Sequence, residues 1–288
     1  MASKIGMFRR FWLLVAWALT DAASAQAQDY ELRFVRSLPL YLPEIGLDEP
    51  SGLSVDDKGK GFWIVSDNTK AVFWLDAGGG LQRQYEDPRL HDLEGIALDA
   101  ENKRLLLVSE ETASLIEVGL QPPHPISRRP LSEMVSYIDL EEVLPDRRNG
   151  LEGITIDPLT GTVFVVSERD PKLLIEISSD LESVVGVHDL DRVPVPKESN
   201  HDDVSGIVMD TLRNGFWVVS DTGRSVDFLS RDLGDGKTFD LYWEIDGKRR
   251  RLHNPEGVGL SPDGRFLFVL SDDGRDSKLV QYQVGSVQ

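Results

Sequence analysis

Cysteine is absent from all 288 residues, which excludes disulfides, a lipoprotein attachment site, thiolate metal ligands and a cysteine nucleophile. Positive charge is scarce: 31 Lys and Arg face 49 Asp and Glu, for a formal charge of −18. Nucleic acid is thereby disfavoured as a partner. A membrane-spanning run is also missing, because the apolar stretch from Phe11 to Thr20 has 10 residues. A spanning helix needs about 20, and Asp21 stops this one. With Lys4, Arg9 and Arg10 before it and small residues through Ala27 after it, the stretch has the layout of a secretory signal peptide over residues 1–27. Cleavage after Ala23-Ser24-Ala25 or Ala25-Gln26-Ala27 starts the mature chain near Gln26 or Gln28 and leaves a charge of −20. The expected location is the periplasm. The alternative is an uncleaved leader anchoring the chain in the inner membrane, the one case in which membrane contact is expected. Residues 28–288 are enough for one large all-β domain.

What the chain does have is an internal repeat. Five segments align: Glu49-Pro-Ser-Gly52, Asp92-Leu-Glu-Gly95, Gly150-Leu-Glu-Gly153, Asp203-Val-Ser-Gly206 and Asn254-Pro-Glu-Gly257. Each is followed by alternating apolar residues and then by a β-rich run ending in serine and an acid: Ser66-Asp67, Ser109-Glu110, Ser167-Glu168, Ser220-Asp221 and Ser271-Asp272. The separation from glycine to serine is 14 in all five. Within a unit the pattern reads strand, turn, strand, as in Gly153 to Asp157, Pro158-Leu-Thr-Gly161 and Thr162 to Val166. Third strands follow, such as Ala71 to Leu75, Leu173 to Ile177 and Leu279 to Gln283. Successive motif glycines lie 43, 58, 53 and 51 residues apart, the length of a four-stranded propeller blade. Only 31 residues follow Gly257, too few for a complete blade. The unassigned strand Glu31 to Leu40 completes it, giving an all-β, five-bladed β-propeller closed by its N-terminal strand. A degenerate sixth blade has room in the 58-residue interval, where Gln121-Pro-Pro-His-Pro and Ser132 to Leu144 are expected to form a surface excursion with a short helix.

In an antiparallel pair, the start of the first strand and the end of the second lie together, so ten motif segments should meet at one mouth of the central channel. One position before the glycine stand Ser51, Glu94, Glu152, Ser205 and Glu256; three before it stand Glu49, Asp92, Gly150, Asp203 and Asn254. Alternation puts the two positions on one strand face, so every blade offers the mouth a carboxylate. Carboxylates crowded in this way raise one another's pKa or need a cation, and oxygen-only ligands suit calcium rather than zinc or iron–sulfur. The competing expectation is structural: these acids accept backbone N–H bonds, or pair with Lys70, Arg224 and Arg275, each four residues past its motif serine. The motif glycines are read as backbone requirements, for close packing or positive φ.

Gly150-Leu-Glu-Gly153, Ser167-Glu-Arg-Asp-Pro171, Asp203-Val-Ser-Gly206 and Pro255-Glu-Gly-Val258 resemble, in order and wording, the motifs of the SdiA-regulated family of bacterial propellers. That family includes the calcium-regulated propeller proteins and is distantly related to NHL-repeat proteins. The resemblance covers nearly the whole mature chain. It implies a calcium site, an envelope location and a role in calcium homeostasis or calcium-dependent signalling, with a protein partner in the envelope. Among positions that match the family motifs, Glu152, Glu168, Asp203 and Glu256 are the expected metal ligands, with Glu94 next. A second function class is a calcium-dependent esterase, lactonase or phytase-like hydrolase, for which His91, His201 and His253, four or five residues before a motif glycine, would supply a base. No Ser-His-Asp spacing or Gly-x-Ser-x-Gly elbow supports covalent catalysis, and no catalytic residue is assigned.

Overall fold

The second strand of each repeat is apolar at consecutive positions, as in Leu105-Leu106-Leu107-Val108, and a strand of that kind must be covered on both faces. A computed structural model describes residues 30–136, 150–169, 171–194 and 203–286. The leader and its cleavage sites, Asp170, His201 and most of the Ser132 to Leu144 excursion lie outside the described residues. The N-terminal strand β1 is Tyr30–Pro39. Blade 1 follows as β2 (Pro50–Val55), β3 (Gly61–Ser66), β4 (Ala71–Asp76) and β5 (Leu81–Glu86). Blade 2 holds β6 (Leu93–Asp99), β7 (Arg104–Ser109), β8 (Ser114–Gly119) and β9 (Ile126–Pro130). The two-residue β10 (Val135–Ser136) precedes blade 3, which is β11 (Leu151–Ile156), β12 (Val163–Ser167), β13 (Leu173–Ile177) and β14 (Ser183–Asp189). Blade 4 is β15 (Gly206–Asp210), β16 (Gly215–Ser220), β17 (Ser225–Ser230) and β18 (Gly236–Asp240). A separate hairpin, β19 (Tyr242–Ile245) and β20 (Lys248–Arg251), stands between it and blade 5. Blade 5 consists of β21 (Pro255–Leu260), β22 (Phe266–Ser271) and β23 (Lys278–Ser286), with β1 as its outer strand.

Five blades are therefore present, and the ends are joined as the strand count required: β1 runs antiparallel to β23, from Tyr30 opposite Ser286 to Pro39 opposite Lys278. Within the 58-residue interval the description departs from the expected excursion. Gln121 to Pro125 is the turn linking β8 to β9, so it belongs to blade 2. Leu131–Glu133 forms one 3₁₀ turn, and β10 then pairs in parallel with β14 as an extra outer strand of blade 3.

The core is not one cluster but five, each between two adjacent blades. Leu106 and Val108 pack against Leu151, Ile154 and Val165 of blade 3, whereas Leu105 and Leu107 pack against Val65 and Val72 of blade 1. One strand thus serves two interfaces through its two faces, which is why it is apolar without alternation. The seam between blades 5 and 1 is filled by Phe62, Ile64, Phe73, Phe268 and Leu270, with Phe62 and Phe268 edge-to-face at 5.0 Å. Tyr30 fastens the terminal strand in the seam between blades 4 and 5, its ring 5.2 Å from Phe228 and under the Arg213 guanidinium at 5.4 Å.

Candidate metal centre

The motif glycines position the site. A Cβ on Gly52 would fall 2.6 Å from the Glu94 carbonyl oxygen, one on Gly95 2.7 Å from that of Glu152, and one on Gly257 2.8 Å from that of Ser51. Gly153 abuts the Ile207 nitrogen at 2.8 Å, and Gly206 abuts the Glu256 carbonyl. Each innermost strand therefore lies against the backbone of the next blade's, around the whole ring. Of the two expected reasons for these glycines it is close approach that applies, since none of the five has positive φ. The motif serines are buried ties between the end of a second strand and the segments beside it. Ser66 and Ser271 donate to the carbonyls of Glu49 and His253, and Ser167 to that of Pro171.

Immediately before the glycine the ladder slips. Leu93 and Gly95 oppose the consecutive residues Ser109 and Val108, leaving Glu94 as an extra residue; Glu152 is extra in β11, and matching shifts occur in β2 and β21. A bulge of this kind re-aims one side chain. Where that residue is serine it staples blades: Ser51 Oγ donates to the Leu93 carbonyl at 2.9 Å and Ser205 Oγ to that of Pro255 at 2.8 Å. Where it is glutamate, no donor among the described residues reaches the carboxylate. Glu94, Glu152 and Glu256, from blades 2, 3 and 5, are instead close enough that Glu94 and Glu256 both act on Glu152, and Glu256 acts on Glu94. Below them the waist of the channel, lined by the motif glycines with Leu53, Ile96, Ile154, Ile207 and Val258, holds only about 10 Å³ of free space. That is about the minimum for one water, and Glu94, Glu152 and Ser205 line the same narrow space.

The electrostatic consequence is large. Burial, then Asp67, Glu110, Glu256 and Asp92, pushes the Glu94 carboxyl up to about 8. Burial, then Asp221, Asp272, Asp203 and Asp67, pushes Glu256 to about 8. Glu152 is raised well above the ordinary range by burial and by Glu94, Glu110 and Glu256, with Arg169 opposing. Asp67 reaches about 6 through burial and its neighbour Glu49. Burial also raises Glu110, Asp221 and Asp272. Glu94 and Glu256 therefore keep their protons to a higher pH than ordinary glutamates do.

Two groups of carboxylate oxygens come close enough to share an ion: Asp92, Glu94 and Glu110, and Glu110, Glu152 and Glu168, each set within 4.8 Å of one another. Oxygens on a common calcium at about 2.4 Å each can be no more than about 4.8 Å apart, so both groups fit that ion, and neither contains nitrogen or sulfur. Of the expected ligands, Glu94, Glu152 and Glu168 thus fall in these clusters, with the Arg169 guanidinium against Glu168. Glu256 is not in either cluster but lies within electrostatic range of Glu94 and Glu152. Asp203 is engaged otherwise. It is buried and accepts from Ser220 Oγ, from Thr222 Oγ1 at 2.7 Å and from the Thr222 amide at 3.1 Å.

Glu110, placed at the mouth by its motif but not among the expected ligands, belongs to both clusters. Its signal was Gly150, the one motif position three before the glycine that lacks a polar side chain. A Cβ on Gly150 would meet Glu110 Oε1 at 2.6 Å, so the missing side chain is the space that Glu110 fills.

The structural expectation holds for part of the rim. The Asp272 carboxylate accepts from the Gly274 amide and Ser277 Oγ, and Asp92 from the Glu111 amide. Among the described residues, however, no ion pair joins Lys70, Arg224 or Arg275 to a rim acid. The opposite end of the channel is the contrast. There Asp99 pairs with Arg104 at 2.8 Å, Asp157 with Arg231 at 2.8 Å and Asp210 with Arg213 at 2.7 Å. Burial alone would raise Asp99, but bonds from Asn102 and Arg104 outweigh it and hold it low. Among the described residues, the buried acids Asp99, Asp157 and Asp210 at that end are each paired with an arginine, whereas Glu94, Glu152 and Glu256 at the mouth have no ion pair.

None of the four described histidines belongs to either cluster. His91 Nδ1 lies 3.2 Å from Glu111, which is in neither cluster, and His253 lines a groove outside the mouth. His124 stacks on Tyr85, and His188 contacts Glu176.

A family model, SdiA-regulated, matches residues 22–273. A comparison with curated proteins returns no match. Among solved structures the chain is similar to Myxococcus xanthus glutaminyl cyclase, at 11% identity and a TM-score of 0.60, over 91% of this chain and 100% of that one. It is similar to a streptogramin B lyase at 11% identity and a TM-score of 0.50, over 89% and 98%. It also matches Kuenenia stuttgartiensis hydrazine synthase at 15% identity and a TM-score of 0.45, over 78% of this chain but only 56% of that longer one. Identities this low speak to the fold alone.

Proposed function

The chain belongs to the SdiA-regulated family, and on that premise we propose that it is an exported, non-catalytic propeller whose acidic mouth binds calcium and takes part in calcium homeostasis or calcium-dependent signalling in the envelope. One observation carries this reading: Glu94, Glu152 and Glu256 are crowded together and, among the described residues, no hydrogen-bond donor reaches them, while Asp99, Asp157 and Asp210 at the far end are each paired with arginine. Glu94, Glu110, Glu152 and Glu168 would hold the ion, with Asp92 beside them and Glu256 within electrostatic range. A divalent cation would add there to the single guanidinium, that of Arg169, which the described residues bring to these clusters.

The protonation states follow. At neutral pH, Glu94 and Glu256 retain their protons, so uptake of a cation must displace them, and affinity rises as pH rises through about 8. Neutralising the rim would also change the face it offers to a protein partner in the envelope. The placement of His91 and His253 away from the clusters favours this reading over a hydrolase, whose water would need a base beside the metal.

The test is thermal melting of the mature protein in excess EDTA and in millimolar calcium. A ligand bound only by the native state must stabilise it, by about 2.7 kcal/mol at one hundred times its dissociation constant. A higher melting temperature in calcium, absent with magnesium, is expected. Identical melts overturn the reading.

A further inference from the structure

The hairpin β19–β20 stands between blades 4 and 5 as a two-stranded sheet of its own, and it carries Lys248-Arg249-Arg250-Arg251, a cationic run in a chain of charge −18. Its cross-strand pairs are Tyr242 with Arg251, Trp243 with Arg250, Glu244 with Arg249 and Ile245 with Lys248. Alternation therefore sorts it into two faces. On one, Arg249 lies 3.8 Å over the Tyr242 ring and Arg251 pairs with Asp240 at 2.7 Å, so these cations are used within the fold. On the other are Trp243, Ile245, Lys248 and Arg250, and among the described residues neither Lys248 nor Arg250 has an ion pair or hydrogen bond.

That second face is one wall of a groove of about 610 Å³, within the range of small-molecule sites. The other wall is the 3₁₀ turn Gly274–Asp276 and its flanks, which present Asp273 and Asp276. Lys278 lies on the floor, its Nζ 4.7 Å from the centre of the Trp243 ring and 3.9 Å from Asp273. Burial lowers its pKa while Asp273 and Asp276 oppose that. His253, Asp246 and Arg251, the last already paired with Asp240, complete the lining. A plain anion would meet the two aspartates, and a plain cation would meet Lys248 and Arg250. A ligand bearing both charges satisfies both walls.

We propose that this groove binds a short peptide as a zwitterion, its carboxylate on Lys248 and Arg250, its ammonium on Asp273 and Asp276, and an apolar side chain against Trp243 and Ile245. The site lies outside the acidic mouth and uses none of its carboxylates, so it stands apart from the calcium reading. The experiment is calorimetric titration of the mature protein, in EDTA so that calcium plays no part, with the tripeptide Gly-Leu-Gly, its N-acetylated form, its C-amidated form and inorganic phosphate. Binding of the free tripeptide is expected, weakened about tenfold by blocking either end, because each end loses a charge-assisted hydrogen bond. Lys248→Ala with Arg250→Ala, and separately Asp276→Asn, should weaken it by a similar factor. All three residues are exposed, so melting temperature should not change. Equal binding of the acetylated peptide, equal binding of phosphate alone, or no binding at millimolar peptide would each overturn the proposal.

Discussion

Replacing Glu94 with glutamine should stabilise the protein when calcium is absent and weaken the stabilisation that calcium gives. In the folded chain this carboxyl titrates near 8, against 4.5 for its ordinary value. Below about pH 4 both folded and unfolded chains hold the proton, and the carboxylic acid and its amide are near equivalents. As pH rises the unfolded chain releases the proton and the folded chain keeps it, so the wild type loses stability that Glu94→Gln retains. At one factor of ten per 1.36 kcal/mol, the gap reaches about 3 kcal/mol at pH 7 and approaches about 5 kcal/mol by pH 9. For a chain of this size that corresponds to a melting temperature about 6–12 °C higher at pH 7. Calorimetric melts of both proteins in EDTA, from pH 4 to pH 9, measure the gap directly. In saturating calcium the order narrows or inverts, because the variant offers one charged oxygen ligand fewer. A variant no more stable than wild type in EDTA at pH 7, or a gap that shrinks with rising pH, would refute the reasoning.

Gly257→Ala places a methyl 2.8 Å from the Ser51 carbonyl and 2.9 Å from the Leu53 nitrogen, where the ring closes. Backbone must move, and chemical denaturation should show a loss of about 1–3 kcal/mol. Asp210 is fully buried and accepts from Trp217 Nε1 at 2.9 Å and from Arg213 at 2.7 Å. Asp210→Ala strands both donors, and a loss of about 3–5 kcal/mol is expected in the same assay. Beginning the mature chain after Pro39 removes β1, exposes the edge of β23 and takes Tyr30 from the seam between blades 4 and 5. Soluble expression should fall, with aggregation visible by light scattering. Calcium added to weakly buffered protein at pH 7 should release protons, measurable with a pH-stat, and release should fade above pH 9, where Glu94 and Glu256 are already ionised.

The blade count was legible because repetition is a property of sequence itself: five glycines and five serines at one spacing specify five hairpins. Ring closure was legible from the missing outer strand of blade 5. What the glycines do was only half legible. Close packing and positive φ both call for glycine, and only the position of the neighbouring blade's carbonyl separates them. The acidic mouth could be placed by topology, but the ranking of its acids could not. Asp203 and Glu152, three and one positions before their motif glycines, were expected on the same strand face at the mouth, yet Asp203 is held by Ser220 and Thr222 while Glu152 is raised by other carboxylates. That difference depends on donors 17 and 19 residues away and on a bulge that adds one residue to β11. Glu110 was placed at the mouth by its motif but not among the expected ligands, since its place in both clusters shows in the absence of a side chain at Gly150 on the next blade. Among the described residues the β19–β20 hairpin has no counterpart in the other units, so repetition carries no signal for it.

The most direct trial of the acidic mouth as a cation site is a crystal of the mature protein grown with calcium, then exchanged into a lanthanide and examined by anomalous diffraction. The expected peak lies at the blade 2 and blade 3 side of the mouth, about 2.3–2.6 Å from oxygens of Glu94, Glu110, Glu152 or Glu168. A clean anomalous map at the mouth, with those four carboxylates in the positions described above, would contradict it.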